Sequence, residues 1–184
     1  VAQAAAEITA MVQEGVGEAS EILEAAEQKV YAVRRGQSAQ DMVPLRQVLP
    51  DYDIVIDATD QLENKFLIND VCVSAEKPFV HGGITGFSGQ VMTYVPEKGP
   101  CYRCIFGEVP EDNAPAPIPV IGVTAGIIGT IQAAEAIRYL LGIPSLLTGK
   151  LLVLDGLRMQ FRTVPFPHVS EHCPLHTRKG VTDL

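Results

Sequence analysis

The sequence predicts an α/β fold whose sheet combines parallel strands with closing antiparallel strands. Short runs of β-branched residues alternate with segments of helical periodicity, which is typical of parallel strands joined by helices. Further along the chain, two strand-like segments flank an Asp-Gly turn and predict a hairpin. Because 47% of the 184 residues are hydrophobic and only 20% are charged, we expect one domain with a buried core over residues 1–184.

The amino-terminal part of the chain predicts two helices and a strand. Residues 2–28 are rich in Ala and Glu, which favours a helix that two glycines interrupt. Lys29–Arg35 has the side-chain alternation of a short strand. Asp41–Leu49 predicts a brief helix. These elements would precede the first strongly apolar strand.

The middle of the chain predicts a strand, a helix and two further strands. Asp53–Asp57 is a compact run of β-branched residues, which is the pattern of a buried parallel strand. Residues 61–75 place apolar side chains at helical spacing, and Pro78–His81 predicts another short strand. Gln90–Val95 alternates in polarity, which predicts a strand at the edge of the sheet.

The last third predicts a long helix and the closing hairpin. Residues 108–119 contain four prolines and predict an extended loop. Val120–Leu141 predicts a long buried helix that ends at Gly142 in the C′ position. Leu151–Leu154 and Met159–Val164 flank the Asp-Gly turn and form the predicted hairpin.

Composition excludes several classes of partner. The net charge of −8 and the absence of a basic run argue against nucleic-acid binding and against an anionic membrane surface. The first residues lack the basic leader and apolar core of a signal peptide, and the most hydrophobic segment, 118–131, is shorter than the about 20 residues that a bilayer requires. We therefore expect a soluble, cytoplasmic protein.

Two pairs of metal-binding residues have the spacing of zinc knuckles. Cys101 and Cys104 form one x₂ pair, and Cys173 and His176 form the other. An x₂ spacing lets both side chains of a pair reach one ion from a tight turn, and two such turns complete a tetrahedral Cys₃His shell. Such a shell has no open position, so the sequence predicts structural zinc. His172 is an alternative fourth ligand, although its place beside Cys173 makes sharing one ion sterically harder.

The cysteines also allow other interpretations. A Cys-x-x-Cys pair can be redox-active, but such a pair usually opens a helix, whereas Pro100 and the loop after Cys104 do not suggest one. Two unrelated cysteines and a solvated histidine remain a further alternative. Cys72 lies in an apolar helical segment and is expected to be a buried, inert thiol.

Glycines are concentrated in two segments. Gly83, Gly86 and Gly89 could form a phosphate-binding loop, but no Gly-Lys-Ser/Thr sequence and no helix follow them. A tight connection between two strands is the more common use of such glycines. Three more glycines in the long helix are expected to permit close packing on the sheet. They are Gly122, Gly126 and Gly129.

Two carboxylates follow the predicted buried strand. Asp57 and Asp60 lie where that strand ends, and open α/β sheets bind ligands outside the carboxyl ends of their strands. A carboxylate there is suited to Mg²⁺ with a nucleotide. Capping of the next helix by Thr59 or Asp60 explains the same residues equally well.

Taken together, five segments in their order along residues 50–176 resemble the ThiF/MoeB/HesA family, the bacterial relatives of ubiquitin-activating enzymes. The resemblance implies a Rossmann-like fold, a structural zinc ion, and ATP- and Mg²⁺-dependent adenylation of the C-terminal glycine of a ubiquitin-like sulfur carrier. Thiamine or molybdopterin biosynthesis is the implied setting, and a homodimer the implied assembly. The segments are Asp53–Asp70, Gly86–Val91, Pro100–Cys104, Gly126–Gly142 and Leu147–Leu151.

The resemblance also implies site residues. Asp60 corresponds to the family aspartate that places Mg²⁺ and the nucleotide phosphates, with Lys65 and Asn69 as further nucleotide-binding residues. Gln61 and Lys65 replace an asparagine and an arginine of the family pattern, and lysine lacks the bidentate fork of arginine. Residues 107–119 resemble the crossover loop that covers the tail of the carrier, and residues 165–184 would be a zinc-tethered tail.

Two absences qualify this expectation. No cysteine lies between Ile105 and Arg162, which favours adenylation without a covalent thioester or persulfide step. The family's first βαβ unit, with its glycine-rich nucleotide loop, is also missing, so the chain resembles an amino-terminally truncated domain. We expect no ATP–pyrophosphate exchange from these 184 residues alone. The alternative is a non-catalytic, zinc-stabilised module for carrier binding or dimerisation. A nicotinamide-dependent oxidoreductase fits less well, because no Gly-x-Gly-x-x-Gly follows a first strand.

Overall fold

A computed structural model describes residues 30–33, 45–109 and 119–176 of the chain. Its strands are β1 (Val30–Val33), β2 (Ile54–Asp57), β3 (Phe79–Thr85), β4 (Ser88–Tyr94), β5 (Lys150–Asp155) and β6 (Gln160–Pro165). Its helices are α1 (Leu45–Val48), α2 (Leu62–Ser74), α3 (Tyr102–Phe106) and α4 (Gly122–Leu140), with a 3₁₀ turn at Leu49–Asp51 after α1.

The six strands form one mixed sheet in the order β1-β2-β3-β4-β5-β6. Strands β1, β2 and β3 are parallel to one another, and the pairs β3–β4, β4–β5 and β5–β6 are antiparallel. This confirms the predicted α/β fold with closing antiparallel strands, including the β5–β6 hairpin. The position of β4 was predicted wrongly, because β4 pairs on both sides and lies inside the sheet. The edge strand among the antiparallel ones is β6, whose residues are all exposed.

Helices cover both faces of the sheet, as the Rossmann-like architecture requires. Below one face, α1, α2 and α3 pack with β2, β3 and β4 around residues such as Phe66, Ile68 and Phe79. On the other face, α4 packs against β2, β3 and β4 through Ile128 and Ala136. Two separate apolar clusters therefore hold the sheet between them.

The long helix α4 ends as predicted but is not buried all round. Gly142 has a φ of +68°, and its amide donates to the Tyr139 carbonyl, as expected for a glycine that ends a helix. Only one face of α4 contacts the sheet, and Val123 on the opposite side is 71% exposed. The three helix glycines at 122, 126 and 129 lie on the open side, so the expectation that they permit close packing was wrong.

The glycines that do permit close packing lie in the β3–β4 hairpin. Residues 83–89 form this hairpin, with Gly86 at a φ of +55° in its turn, and no helix follows. The segment is therefore a strand connection and not a phosphate-binding loop. A side chain on Gly82 would collide with Gln132, and one on Gly89 would lie 2.5 Å from Ile128 of α4.

Gly89→Ala is expected to lower the free energy of unfolding by about 1–3 kcal/mol, because Ile128 is buried and would have to move away from the new methyl group. Gly129→Ala is the matched control. It adds the same methyl group in open space on α4 and should stabilise the protein by about 0.5–1 kcal/mol. Urea unfolding of both variants measures the difference, and an equal effect of the two substitutions would contradict the packing argument.

Some predictions fall outside the described residues. They are the helix over 2–28, the amino-terminal part of the segment 41–49, most of the loop 107–119 and the end of the tail 165–184. That residues 1–184 form a single domain also stays a prediction. Within the ranges that the structure describes, no helix is both long and apolar enough to cross a membrane.

Candidate functional site

Asp57 is the centre of a buried polar cluster at the carboxyl end of β2, beside the middle of β3. It is the last residue of β2, and the parallel register pairs it with His81 of β3. Only 1% of Asp57 is exposed, so its charge requires partners. The parallel pairing brings the two side chains to one edge of the sheet, where ligands bind in folds of this class.

Both carboxylate oxygens of Asp57 are occupied. Oδ1 accepts hydrogen bonds from the backbone N–H and the hydroxyl of Thr59, at 3.0 and 2.7 Å. Oδ2 lies 2.8 Å from His81 Nδ1 and 3.2 Å from Lys65 Nζ. Burial alone would raise the pKa of Asp57, but Lys65, His81 and Thr59 together hold that pKa well below its usual range.

His81 is neutral in this cluster. Its Nδ1–H donates to Asp57, and its Nε2 lies 3.3 Å from Gln90 Nε2, from which it can accept. Burial lowers the pKa of His81, and the nearby Lys65 ammonium lowers it further. A neutral imidazole with one donor and one acceptor satisfies both contacts.

Lys65 lies inside the cluster and not on the surface. It is 8% exposed, and its ammonium donates to the carbonyls of Thr59 and Gly82, at 2.7 and 2.8 Å, as well as to Asp57. The structure therefore brings Lys65 to the turn that precedes Asp60. Its role as a nucleotide-binding residue stays a prediction.

Asp60 is exposed and follows this turn directly. Neither Thr59 nor Asp60 is the N-cap residue of α2. Gln61 occupies the N-cap position without a side-chain cap, and the Thr59 hydroxyl bonds to Asp57 instead. Asp60 is thus an accessible carboxylate next to a fixed turn, which is suited to holding a hard cation.

Asn69 lies away from this edge, beneath α3. It is fully buried, its side-chain oxygen accepts the N–H of Tyr102 at 2.8 Å, and its amide donates to Asp70. The first residue of α3 thus receives from Asn69 the partner that its amide lacks within the helix. Contact of Asn69 with a nucleotide stays a prediction.

The four predicted metal ligands converge. The donor atoms of Cys101, Cys104, Cys173 and His176 all lie within 4.8 Å of one another, and these residues could hold a metal ion. In each pair the backbone forms a tight turn, since Cys104 N–H donates to the Cys101 carbonyl and His176 N–H donates to the Cys173 carbonyl. His172 is exposed and is not part of the group, so His176 is the better fourth ligand.

The chemistry of the cluster fits a thiophilic cation. Sγ of Cys101 lies 3.7 Å from that of Cys104 and 3.6 Å from that of Cys173. His176 Nε2 is buried and has no hydrogen-bond partner within the described structure, which leaves it available as a ligand. A metal would satisfy that nitrogen and offset the charge of three adjacent thiolates. Cys72 is fully buried elsewhere, where burial raises its pKa, as predicted for an inert thiol.

Side chains of α3 connect the cysteine cluster to the Asp57 cluster. Arg103 forms a two-pronged ion pair with Asp70 of α2, at 2.6 and 2.7 Å, and its guanidinium lies over Phe66. The ring of Tyr102, which lies between two of the cysteines in sequence, packs 4.6 Å from the ring of His81. The two sites therefore share one packed region.

Sequence reasoning did not find His81 or Gln132 as members of the Asp57 cluster. Gln132 of α4 donates to the carbonyls of Asp57 and Val80 from the opposite face of the sheet. The sequence signal for His81 was its position at the end of the predicted strand Pro78–His81, the next strand along the chain after Asp57. Gln132 gave no local signal, because its partner lies 75 residues earlier in the chain.

Comparison with known proteins places these features in a family. The ThiF family model matches residues 5–175. The SAMP-activating enzyme E1 of Haloferax volcanii is 41% identical over 150 residues, which are 78% of this chain and 54% of that protein. The adenylyltransferase and sulfurtransferase MOCS3 of Culex quinquefasciatus is 40% identical over 120 residues, which are 64% of this chain and 27% of that protein.

A solved structure agrees in fold. The crystal structure of Escherichia coli MccB with ATP has a TM-score of 0.63 and 20% identity, and it covers 76% of this chain and 43% of that chain. The chain therefore spans about half or less of the length of the relatives named here. The family model covers nearly the whole sequence, and by that match the chain belongs to the ThiF family.

Proposed function

We propose that this chain is the part of an ATP-dependent adenylyltransferase that activates the C-terminal glycine of a ubiquitin-like sulfur carrier. The observation that carries the proposal is Asp60, an exposed carboxylate at the carboxyl end of a parallel strand, directly after a turn fixed by Asp57 and Lys65. The names of the archaeal E1 and of the insect adenylyltransferase support the same reaction class.

In this proposal Asp60 holds Mg²⁺ together with the nucleotide phosphates. The cation supplies electrostatic stabilisation of charge on the α-phosphate and on the pyrophosphate that leaves. The buried cluster beneath Asp60 keeps the carboxylate in place, because Asp57 and Thr59 are bonded to each other and Lys65 bonds to both. Lys65 and Asn69 remain predicted nucleotide-binding residues on the strength of the resemblance alone.

The Cys₃His group would hold zinc in a structural role, since four protein ligands leave no position for a substrate. We further propose a cytoplasmic homodimer acting in thiamine, molybdopterin or a related sulfur-transfer pathway. The loop 107–119 would cover the tail of the carrier. These assignments rest on the resemblance and on the names of the relatives.

Asp60→Ala is expected to abolish formation of the carrier adenylate, with a loss of at least about 100-fold if the metal contact supplies about 3 kcal/mol or more of stabilisation. The assay uses the longer adenylyltransferase of which we propose this chain is a part, mixes it with Mg²⁺, ATP and a ubiquitin-like carrier ending in glycine, and detects the adenylate by mass spectrometry; the unsubstituted protein must first form adenylate. Asp53→Ala is the matched control, because Asp53 is an exposed carboxylate at the opposite end of β2. Equal adenylate from Asp60→Ala and Asp53→Ala would remove Asp60 from the mechanism.

The second candidate function is a zinc-stabilised module that binds the carrier or dimerises without catalysis. Its support is the completeness of the cysteine cluster, which does not depend on Asp60. Calorimetric binding of the carrier to this chain without nucleotide, together with no adenylate from the longer protein in the presence of Mg²⁺ and ATP, would favour this module over the enzyme.

A further inference from the structure

Lys65 lies between the turn that follows β2 and the middle of β3, and we infer that it is a positioning residue for Asp60. It acts through Thr59 and Asp57 and does not touch the nucleotide. The inference rests on the proposed role of Asp60, and it reverses the role that the resemblance suggests for Lys65.

The donors of Lys65 are already used. Its Nζ lies 2.7 Å from the Thr59 carbonyl, 2.8 Å from the Gly82 carbonyl and 3.2 Å from Asp57 Oδ2. An ammonium has three N–H groups, and these three acceptors satisfy all of them. A phosphate oxygen could bind Nζ only by displacing an acceptor that is itself buried or part of the backbone. Direct contact with a nucleotide would therefore cost one of the bonds that shape the site.

The hydrogen bond from Lys65 to the Thr59 carbonyl is the one that affects Asp60. The carbonyl of Thr59 belongs to the peptide group whose nitrogen is that of Asp60, so the bond from Lys65 fixes the orientation of that peptide plane. The direction in which the chain continues from this plane determines where the Asp60 carboxylate projects. Without the bond, the plane could rotate, and the range of positions open to the carboxylate would widen.

Asp57 fixes the same residue from its other side. Asp57 Oδ1 accepts both the N–H and the hydroxyl of Thr59, so Thr59 is held at its nitrogen, its side chain and its carbonyl. The positive charge of Lys65 keeps Asp57 ionised, and ionised carboxylates accept stronger hydrogen bonds. Asp57, Thr59 and Lys65 therefore act as one unit in which the lysine supplies both the charge and the final bond.

This unit is anchored by three residues on two further elements. Gly82 and His81 of β3 bond to Lys65 and Asp57, respectively, and Gln132 of α4 donates to the Asp57 carbonyl. Because the anchors come from a neighbouring strand and from a helix on the opposite face, the turn cannot shift without disturbing the sheet. Placing a ligating carboxylate on such a support is what precise coordination requires.

Lys65→Met is expected to loosen the turn without loosening the sheet. In the ¹⁵N-labelled 184-residue chain, the Thr59 amide should exchange with solvent about tenfold faster, since a charge-assisted bond holding the turn is lost. Mn²⁺ alone, added as a paramagnetic probe, should broaden the Asp60 amide signal only at several-fold higher concentration. Lys65→Arg keeps the charge and donors and should restore both measurements towards native values. The amides of β4 and β5 should be unaffected in both variants.

Two results would overturn the inference. One is native exchange at Thr59 and native Mn²⁺ broadening in Lys65→Met. The other is that Lys65→Met binds ATP more weakly in the absence of divalent cations, while Thr59 exchange and Mn²⁺ broadening stay unchanged. That result would identify Lys65 as a direct phosphate contact. If Lys65→Met does not fold, Thr59→Val decides the question instead. It removes only the hydroxyl bonded to Asp57, and unaltered Mn²⁺ broadening in that variant would count against the positioning unit.

Asp60→Ala separates this inference from the proposed function. Loss of Mn²⁺ broadening near residue 60 in Asp60→Ala supports Asp60 as the metal ligand. If the broadening persists in that variant, the proposed role of Asp60 fails, while amide exchange at Thr59 in Lys65→Met still tests whether Lys65 orders the turn.

Discussion

His176→Ala is expected to release the metal from the Cys₃His group and to lower the free energy of unfolding by about 4 kcal/mol or more, the contribution of a ligand present at about 1,000 times its dissociation constant. The physical reason is that a metal in this group would join two turns that lie far apart in the sequence, around Cys101 and around Cys173. Without it, three thiols remain crowded together and the tail loses its attachment. Elemental analysis for zinc and thermal unfolding with and without chelator measure the effect.

His172→Ala is the matched control for this prediction. His172 is exposed, lies four residues before His176 and is outside the ligand group, so its removal should leave one equivalent of zinc and an unchanged unfolding midpoint. Equal metal content in both variants would show that His176 is not a ligand. A native chain that unfolds at the same temperature in chelator would contradict the structural role of the metal.

Loss of the metal should also disturb the Asp57 cluster. The Cys101–Cys104 turn holds the start of α3, and Tyr102 of α3 packs on the ring of His81, which in turn bonds to Asp57. Asn69 and the Arg103 guanidinium attach the same helix to α2. A metal with a purely structural role in the Cys₃His group would therefore also stabilise the Asp57 cluster, through the packed side chains that lie between the two.

The parts of the fold that local sequence determines were predictable. Strand β2 was evident from its β-branched run, the end of α4 from Gly142, and the convergence of the Cys₃His group from two x₂ spacings. Each of these signals arises from residues within a few positions of one another. Local spacing only favoured His176 over His172, and the structure places His176 within the group of possible ligands.

The parts that depend on distant partners were not predictable. Strand β4 was expected at an edge because its alternation suggested one exposed face, but it pairs with β5, some 60 residues later in the sequence. The glycines of α4 face away from the sheet because the helix is oriented by Gln132, Thr124 and Ile128, which contact the sheet. Periodicity locates a helix but does not by itself choose which face is buried when both faces are apolar or small.

The Asp57 cluster shows the same distinction. That a carboxylate ends a parallel strand was visible in the sequence, and so was its relevance to ligand binding. The sequence did not show that Lys65 turns inward. Its direction depends on where α2 begins relative to the turn and on the position of the Gly82 carbonyl in β3. A lysine near such an edge suggests a phosphate contact, whereas the structure gives it three internal acceptors.

Asp57→Ala is expected to lower the free energy of unfolding by about 3–5 kcal/mol, because it leaves the Lys65 ammonium buried without its counter-charge. Asp57→Ala combined with Lys65→Met should lose less than the single substitution, since no unpaired charge remains. The double variant should not recover fully, because the Thr59 and Gly82 carbonyls lose their donor. Urea unfolding at pH 7 measures the native chain, the two single variants Asp57→Ala and Lys65→Met, and the double variant, and additive losses would contradict the ion-pair argument.

The pH dependence gives an independent test of the same pair. The pKa of Asp57 is lower in the folded chain than the value of about 3.9 expected in the unfolded chain, so its stabilising contribution is present above about pH 4 and is lost as the pH falls towards the folded value. His81 also has a lowered pKa when folded, so the unfolded chain takes up a proton below about pH 6.5 while the folded chain does not. Asp57→Ala should therefore keep the decline in stability that begins near pH 6.5 and lose part of the decline below about pH 4. A variant whose acid-side decline matches that of the native chain would mean that Asp57 is not held ionised by Lys65 and His81.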